Sequence, residues 1–396
     1  MQHATRRNIP LGYLRAFLIL LVVLHHALIA YSTYAPPPTA SLDVQPLLWT
    51  AFPIVDSHRW SGADLIVGFN DTFFMSLMFL IAGVFSWPSL MRKGVARYIG
   101  DRVRRLGVPF VLAAGVLAPL AYSASWLANA APAQGDSFWR QWLALGVWPA
   151  GPAWFLWVLF AFSVIAAAAT AMAPSWGTTL GRILGRTGER PILAFVLLVT
   201  ASLMVYLPMT AEFDPSRWLS WGPFFVQIDR APHYLLYFTF GVGLGAAGTM
   251  GGLLRPDGRL ARRWPLWVMF AFVAWAIATG SVIALISGLM HGHSNPGLVV
   301  FCNFMFTLSC AASSFAFIAL FMRFATTSRR MLDSLSDNSY GIYLLHYACV
   351  TWLQFALLHT DLPGVAKAAL VFAGALAASW SLASTLRKIP AVGRWV

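Results

Sequence analysis

Charge is what this sequence has least of. Only 10% of its 396 residues are Asp, Glu, Lys or Arg, and the acids number 14. A soluble domain carries about 25% charged residues, so the composition excludes a string of ordinary soluble domains. Cysteine is nearly as scarce. Cys302, Cys310 and Cys349 all sit inside apolar stretches, with no paired spacing, which excludes a disulfide scaffold and a cysteine-based metal site. There is no P-loop, no Rossmann fingerprint and no serine nucleophile elbow. Internal repeats and low-complexity tracts are absent, and so is any polar stretch long enough for an appended soluble domain. Residues 1–396 read as one integral membrane domain.

What is abundant is hydrophobicity, at 59% of residues. Runs long enough to cross a bilayer recur along the whole chain. They predict an all-α polytopic membrane protein of about ten spans: 11–31, 66–88, 107–127, 152–173, 191–209, 232–250, 265–289, 297–323, 338–359 and 364–386. The first run is too long for a signal-peptide core, contains Arg15 and two histidines, and is followed by no good cleavage site. It reads as a retained helix.

The net charge of +13 invites a nucleic-acid reading. The placement of the charges argues otherwise. Arg6 and Arg7, the cluster Arg92, Lys93, Arg97, Arg102, Arg104 and Arg105, then Arg182, Arg186 and Arg190, then Arg255, Arg259, Arg262 and Arg263, then Arg323, Arg329 and Arg330, then Arg387, Lys388 and Arg394 fall in every second inter-span segment. The alternate loops hold only Arg59, Arg140, Arg217 and Arg230, with most of the acids. By the positive-inside rule both termini are cytoplasmic. The outer loops 32–65 and 210–231 are rich in Trp and Pro. They fit substrate-facing lids and fit interfacial belt and loop chemistry equally well.

The first span, "LRAFLILLVVLHHALIAY", holds Arg15, His25 and His26. An Arg at the centre of a membrane helix costs roughly 2.5–3.5 kcal/mol on insertion scales. Arg15 and His26 are eleven residues apart, close to three helical turns, so they share one face and lie roughly 16 Å apart along the axis. His25 points about a quarter-turn away. A snorkelling Arg and a hydrogen-bonded core His would explain either residue singly. Two in phase predict a polar stripe facing a cavity or a polar partner.

That first span resembles the acyltransferase-3 family of membrane O-acyltransferases, and further pieces follow in the family's order. "FFMSLMFLIAG" (Phe73–Gly83), "RVRRLGVPF" (Arg102–Phe110), "AWFLWVLFAF" (Ala153–Phe162) and "NSYGIYLLHYACV" (Asn338–Val350) resemble its second, third, fourth and ninth span elements. The Pro-rich loop after the first span is similar to that of the glucan-succinylating branch, that of glucan biosynthesis protein C, and of related sugar acetylases. The chain departs from the pattern at Ser76, where many members have Asp, and at Tyr347, where many have Pro. Asp71 lies five residues before Ser76, on another face of the helix.

The resemblance implies acyl transfer from acyl-CoA (acetyl-CoA or succinyl-CoA), with no metal, to a hydroxyl of a sugar or glycan across the membrane. The expected location is a bacterial inner membrane. It implies His26 as the essential residue, acting as base or acyl carrier, with Arg15 and the Arg102/Arg105 pair as family positions. The chemistry of the residues is compatible. A hydroxyl attacking a thioester needs a base, and imidazole titrates near neutral pH. The developing oxyanion needs donors, for which Ser339, Tyr340, Tyr343, His346 and the indole of Trp154 are candidates. Tyr343 and His346 share a helix face. CoA phosphates need cations, which Arg102 and Arg105 offer in bidentate form. The candidate catalytic set is therefore His25, His26, Tyr343 and His346. The candidate acyl-CoA-binding set is Arg15, Arg102, Arg105 and Trp154. A transporter of a glycan or small anionic solute, using the Arg15/His26 stripe as its relay, is the alternative. It predicts inverted repeats and broken spans in matching halves, which the sequence lacks. A scaffold without turnover would leave the stripe unexplained.

Overall fold

The computed structural model describes residues 8–38, 47–129, 137–213, 217–293 and 295–390. Arg6, Arg7 and Arg394, and the outer-loop segments 39–46 and 214–216, lie outside the described residues. Among the described residues, twelve helices of seven or more residues follow one another: α1 (Ile9–Ile29), α2 (Ser61–Lys93), α3 (Val95–Asn129), α4 (Phe138–Ala144), α5 (Trp154–Met172), α6 (Trp176–Arg186), α7 (Pro191–Glu212), α8 (Arg230–Ala247), α9 (Trp264–Met290), α10 (Pro296–Phe324), α11 (Arg330–Leu357) and α12 (Gly364–Leu386). A two-stranded antiparallel hairpin, β1 (Trp218–Trp221) and β2 (Phe224–Gln227), interrupts the helices between α7 and α8. The protein is an all-α polytopic membrane protein.

The helix starts are written locally. The side chain of Asn8 accepts from the Leu11 backbone N–H at 3.1 Å, with Pro10 in the first turn of α1. Asn295 and Pro296 do the same for α10. Such caps satisfy the amide groups that a helix start leaves free. Gly94, at φ +75°, ends α2 and begins α3 at once, a conformation that glycine adopts without a Cβ clash.

Among the described residues eight helices are long and apolar enough to cross a membrane: α1, α2, α3, α5 with the preceding turn, α7, α9, α10 and α12. The other two predicted spans, 232–250 and 338–359, form α8 and α11. These fall short in hydropathy, not in helicity. α8 begins on Arg230 and holds His233, and α11 carries Asp333, Asn338 and His346. The least apolar spans are thus the ones that carry the polar interior. Three elements were not expected: the amphipathic helices α4 and α6, and the hairpin.

The closest helix pair is α2 against α8. A Cβ on Gly83 would collide with the carbonyl oxygen of Phe238, one on Gly241 with that of Leu80, and one on Gly245 with that of Val84. Without hydrophobic driving force between spans, such small-residue seams let backbones touch and gain dispersion contacts. α6 lies against the outside of α8, where Gly181 meets the backbone of Ala246. Around this pair, α1 packs on α2, α10, α11 and α12, which makes the first span central.

Loop contacts sort by side. On the arginine-rich side, Asn8 donates to the Thr249 carbonyl at 2.6 Å and Arg259 to that of Glu189 at 2.8 Å. On the far side, the segment 47–60 is clamped down. The Lys367 ammonium at the start of α12 pairs with Asp56 at 2.8 Å, and both are fully buried. Lys367 also reaches the Leu358 carbonyl at the end of α11, and Asp56 donates its N–H to Ala30 at the end of α1. One ion pair therefore joins three helix ends to one loop. Asp64 accepts from the hydroxyls of Ser32 and Thr33, which fixes the turn after α1.

Candidate active site

α1 and α11 run side by side in the same direction, and their polar residues meet in order. Tyr13 donates to Asp333 at 2.9 Å, and Arg15 reaches the Ser336 carbonyl at 3.4 Å. The His26 and His346 rings lie 5.3 Å apart, and Gln354 donates to the His26 carbonyl at 2.9 Å. The stripe expected on α1 therefore faces α11 along its length. Arg15 is exposed on the arginine-rich side, and His26 is half-buried in the opposite half.

His346 is fully buried. Its Nδ1 lies 2.6 Å from the Tyr343 carbonyl. A carbonyl only accepts, so Nδ1 carries the proton and Nε2 keeps its lone pair. That Nε2 is buried without a hydrogen-bond partner. The Tyr347 ring packs edge-on to His26 at 5.0 Å. His25 stands off this pair. It stacks on Phe74 at 5.2 Å, turns its edge to His26 at 5.4 Å, and has a buried, unpartnered Nδ1.

Behind His25 lies an ion pair that sequence reasoning missed. Asp71 of α2 and Arg230 of α8 meet at 2.8 Å. The guanidinium lies over the Phe306 ring at 5.0 Å and within electrostatic reach of the Tyr206 and Tyr234 hydroxyls. The Asp71 side chain is 45% exposed although it stands ten residues into a membrane helix. A carboxylate at that depth does not face hydrocarbon alone, and its partner is the Arg230 guanidinium. One signal was available: Asp71 lies inside the second span and Arg230 two residues before the sixth, and the two signs are opposite.

The candidate acyl-CoA residues divide into two places. Arg15 meets α11 at Ser336. One turn further along α11, Tyr340 donates to the Arg105 carbonyl at 2.5 Å. Arg102 lies over the Tyr98 ring at 4.7 Å. These three arginines gather on the arginine-rich side. Trp154 does not join them. It opens α5 from the far side and stacks on Tyr234, with ring centroids 6.0 Å apart and 27° between planes. Tyr343, expected as an oxyanion donor, donates its proton to the Pro152 carbonyl, so in this arrangement it braces the α5 entry against α11.

α3 carries two π-helical segments, Val103–Gly107 and Ala113–Leu117. Such segments are rare and are frequent at functional sites, and they leave backbone carbonyls out of the helical ladder. The carbonyl of Arg105 accepts from Tyr340, and that of Ala114 from the Trp148 indole at 2.8 Å. A small recess opens between Ala113, Ala118, Ala153, Tyr343 and Tyr347. The face of α11 that bears Ser336, Tyr340, Tyr343 and Tyr347 therefore runs without a break from the arginines to the histidine pair.

The arrangement offers two imidazoles, one with a bare nitrogen, between a polar face that runs from the arginine-rich side and the Asp71–Arg230 pair. That chemistry suits proton abstraction from a nucleophile or nucleophilic attack by the imidazole itself. No curated protein and no solved structure is matched by the chain. Residues 9–384 match the acyltransferase domain of the acyltransferase-3 family, a stretch that contains every residue of this site. The chain belongs to that family and is an integral membrane acyltransferase.

Proposed function

We propose that the protein moves an acyl group from cytoplasmic acyl-CoA to a sugar or glycan hydroxyl at the outer side of a bacterial inner membrane. The observation that carries this reading is the placement of the His26–His346 pair at the outer end of the α11 polar face, whose other end lies among Arg15, Arg102 and Arg105. The arginines would hold the CoA phosphates. The acyl-pantetheine arm would follow Ser336, Tyr340 and Tyr343 inward, past the carbonyls freed by the π-helical segments.

At the histidines the acceptor O–H proton passes to an imidazole nitrogen, and the oxygen attacks the thioester carbonyl. The tetrahedral intermediate then collapses, the C–S bond breaks, and the thiolate leaves and takes the proton. His26 is the residue assigned to this transfer, with His346 beside it. In the carrier version a His26 nitrogen attacks the thioester, the C–S bond breaks and the CoA thiolate leaves with the imidazole proton; the hydroxyl then attacks the acyl-imidazole, and the C–N bond breaks as the imidazole nitrogen takes a proton back. Two imidazoles in contact suit that version, since His346 Nε2 is then the base for the second attack. A sugar acceptor of the glucan-succinylating or sugar-acetylating type accords with the family branch that the Pro-rich loop resembles.

The test is reconstitution in vesicles with labelled acetyl-CoA or succinyl-CoA inside and candidate glycans outside, wild type beside His26→Ala. Label on the glycan with wild type and none with His26→Ala supports the reading. Glycan flux without any acyl donor would replace it with a transporter.

A further inference from the structure

The hairpin between α7 and α8 has two unlike faces. Its register pairs Trp218 with Gln227, Leu219 with Val226, Ser220 with Phe225 and Trp221 with Phe224. Side chains alternate along a strand and directly paired residues share a face. Leu219, Trp221, Phe224 and Val226 therefore point one way. Trp218, Ser220, Phe225 and Gln227 point the other.

The first face is apolar and seated. Val226 is buried, and the Phe224 ring lies 5.3 Å from Phe110 of α3 and 5.6 Å from Trp157 of α5. The Trp157 indole donates to the Phe225 carbonyl at 2.9 Å, which fixes the β2 edge to α5. Trp221, 77% exposed, sits on this face and stacks on Phe224. It has the character of an interfacial belt residue. The second face combines an exposed indole with a hydroxyl and an amide. Trp218 is 47% exposed, and its ring lies 6.5 Å from Trp154. Trp154 stacks on Tyr234, one helical turn from Arg230 and its partner Asp71. The second face is thus continuous with the far-side mouth of the active site.

A flat apolar ring face beside a hydroxyl and an amide is complementary to one ligand chemistry: a ring with an axial C–H face and hydrogen-bonding groups around its rim. We propose that Trp218, flanked by Ser220, Gln227 and Trp154, is the platform on which a pyranose ring of the acceptor stacks while its hydroxyl is turned toward His26. The second half of that statement rests on the acyl-transfer reading; the stacking does not.

The experiment separates the two. Cellotetraose and maltotetraose are titrated into the detergent-solubilised full chain by calorimetry, and acyl transfer to the same sugars is measured with labelled acetyl-CoA and succinyl-CoA. Trp218→Ala is expected to weaken binding of the preferred sugar, and to raise its KM, by roughly tenfold. The KM for acyl-CoA stays unchanged. Trp218→Phe retains most of the affinity, and Trp221→Ala leaves it intact. Unchanged affinity in Trp218→Ala, equal losses in Trp218→Ala and Trp221→Ala, or no binding of either sugar to wild type overturns the platform. Trp218-dependent binding without transfer in any wild-type assay would sink the acyl-transfer reading and leave the platform standing.

Discussion

His26 and His346 face each other across the α1–α11 interface, with ring centroids 5.3 Å apart. The Tyr343 carbonyl holds the proton of His346 on Nδ1, so Nε2 is a base by construction. His26→Ala is expected to reduce acyl transfer to background with unchanged membrane insertion. His346→Ala is expected to lower kcat by about 10²–10⁴. Both are read as turnover of labelled acyl-CoA on a saturating acceptor. Full turnover in His26→Ala would end its assignment.

Arg15 belongs to the donor end of the same interface. On the proposed function, Arg15→Ala should raise the KM for acyl-CoA and leave kcat nearly unchanged, because it stands at the opposite end of the interface from the histidine pair. Arg102→Ala and Arg105→Ala should act in the same direction. Initial rates across a range of acyl-CoA concentrations distinguish this from a fall in kcat, which would place these arginines in the chemistry instead.

Asp71 and Arg230 act as one unit. Removing either leaves the other's charge inside the membrane without its partner, whereas removing both leaves none. Asp71→Asn and Arg230→Met should each cost more activity than half of what the double variant costs. A coupling of about 0.5–3 kcal/mol in a double-mutant cycle is expected from a pair in direct contact. Additive losses would show that the pair is incidental to the site.

Lys367 and Asp56 carry stability instead. Lys367→Met strips the ammonium from a fully buried carboxylate and leaves it only its contacts with His58, at about 3–5 kcal/mol. Pairing that change with Asp56→Leu should recover much of the loss. Melting of the detergent-solubilised protein reads both, and equal melting temperatures for the wild type and Lys367→Met would refute the clamp.

Gly241 tests the α2–α8 seam. Gly241→Val forces side-chain atoms into the Leu80 carbonyl, so the two helices must separate and the Asp71–Arg230 contact between them with them. Folded protein recovered after solubilisation should fall sharply. Gly68→Ala, whose added Cβ meets nothing, is the control, placed on α2, the other helix of the pair.

The sequence by itself determined which segments form the long helices of the bundle, which loops carry the positive charge, and that Arg15 and His26 share a face. Each of these follows from local periodicity or from residue counts in one segment. It also carried the family, through motifs that occur in order. The tertiary structure alone decided what that face meets. That His26 stands against His346, that Asp71 answers Arg230, and that Lys367 closes on Asp56 depend on which helices become neighbours. Those contacts join residues hundreds of positions apart, and no local pattern encodes such a distance. The same holds for the π-helical segments of α3, whose freed carbonyls are satisfied because Tyr340 and Trp148 arrive from elsewhere in the chain to donate to them. A membrane makes this division sharp. Hydrocarbon tells each segment to be a helix, whereas only the packed bundle tells each polar side chain where its partner is.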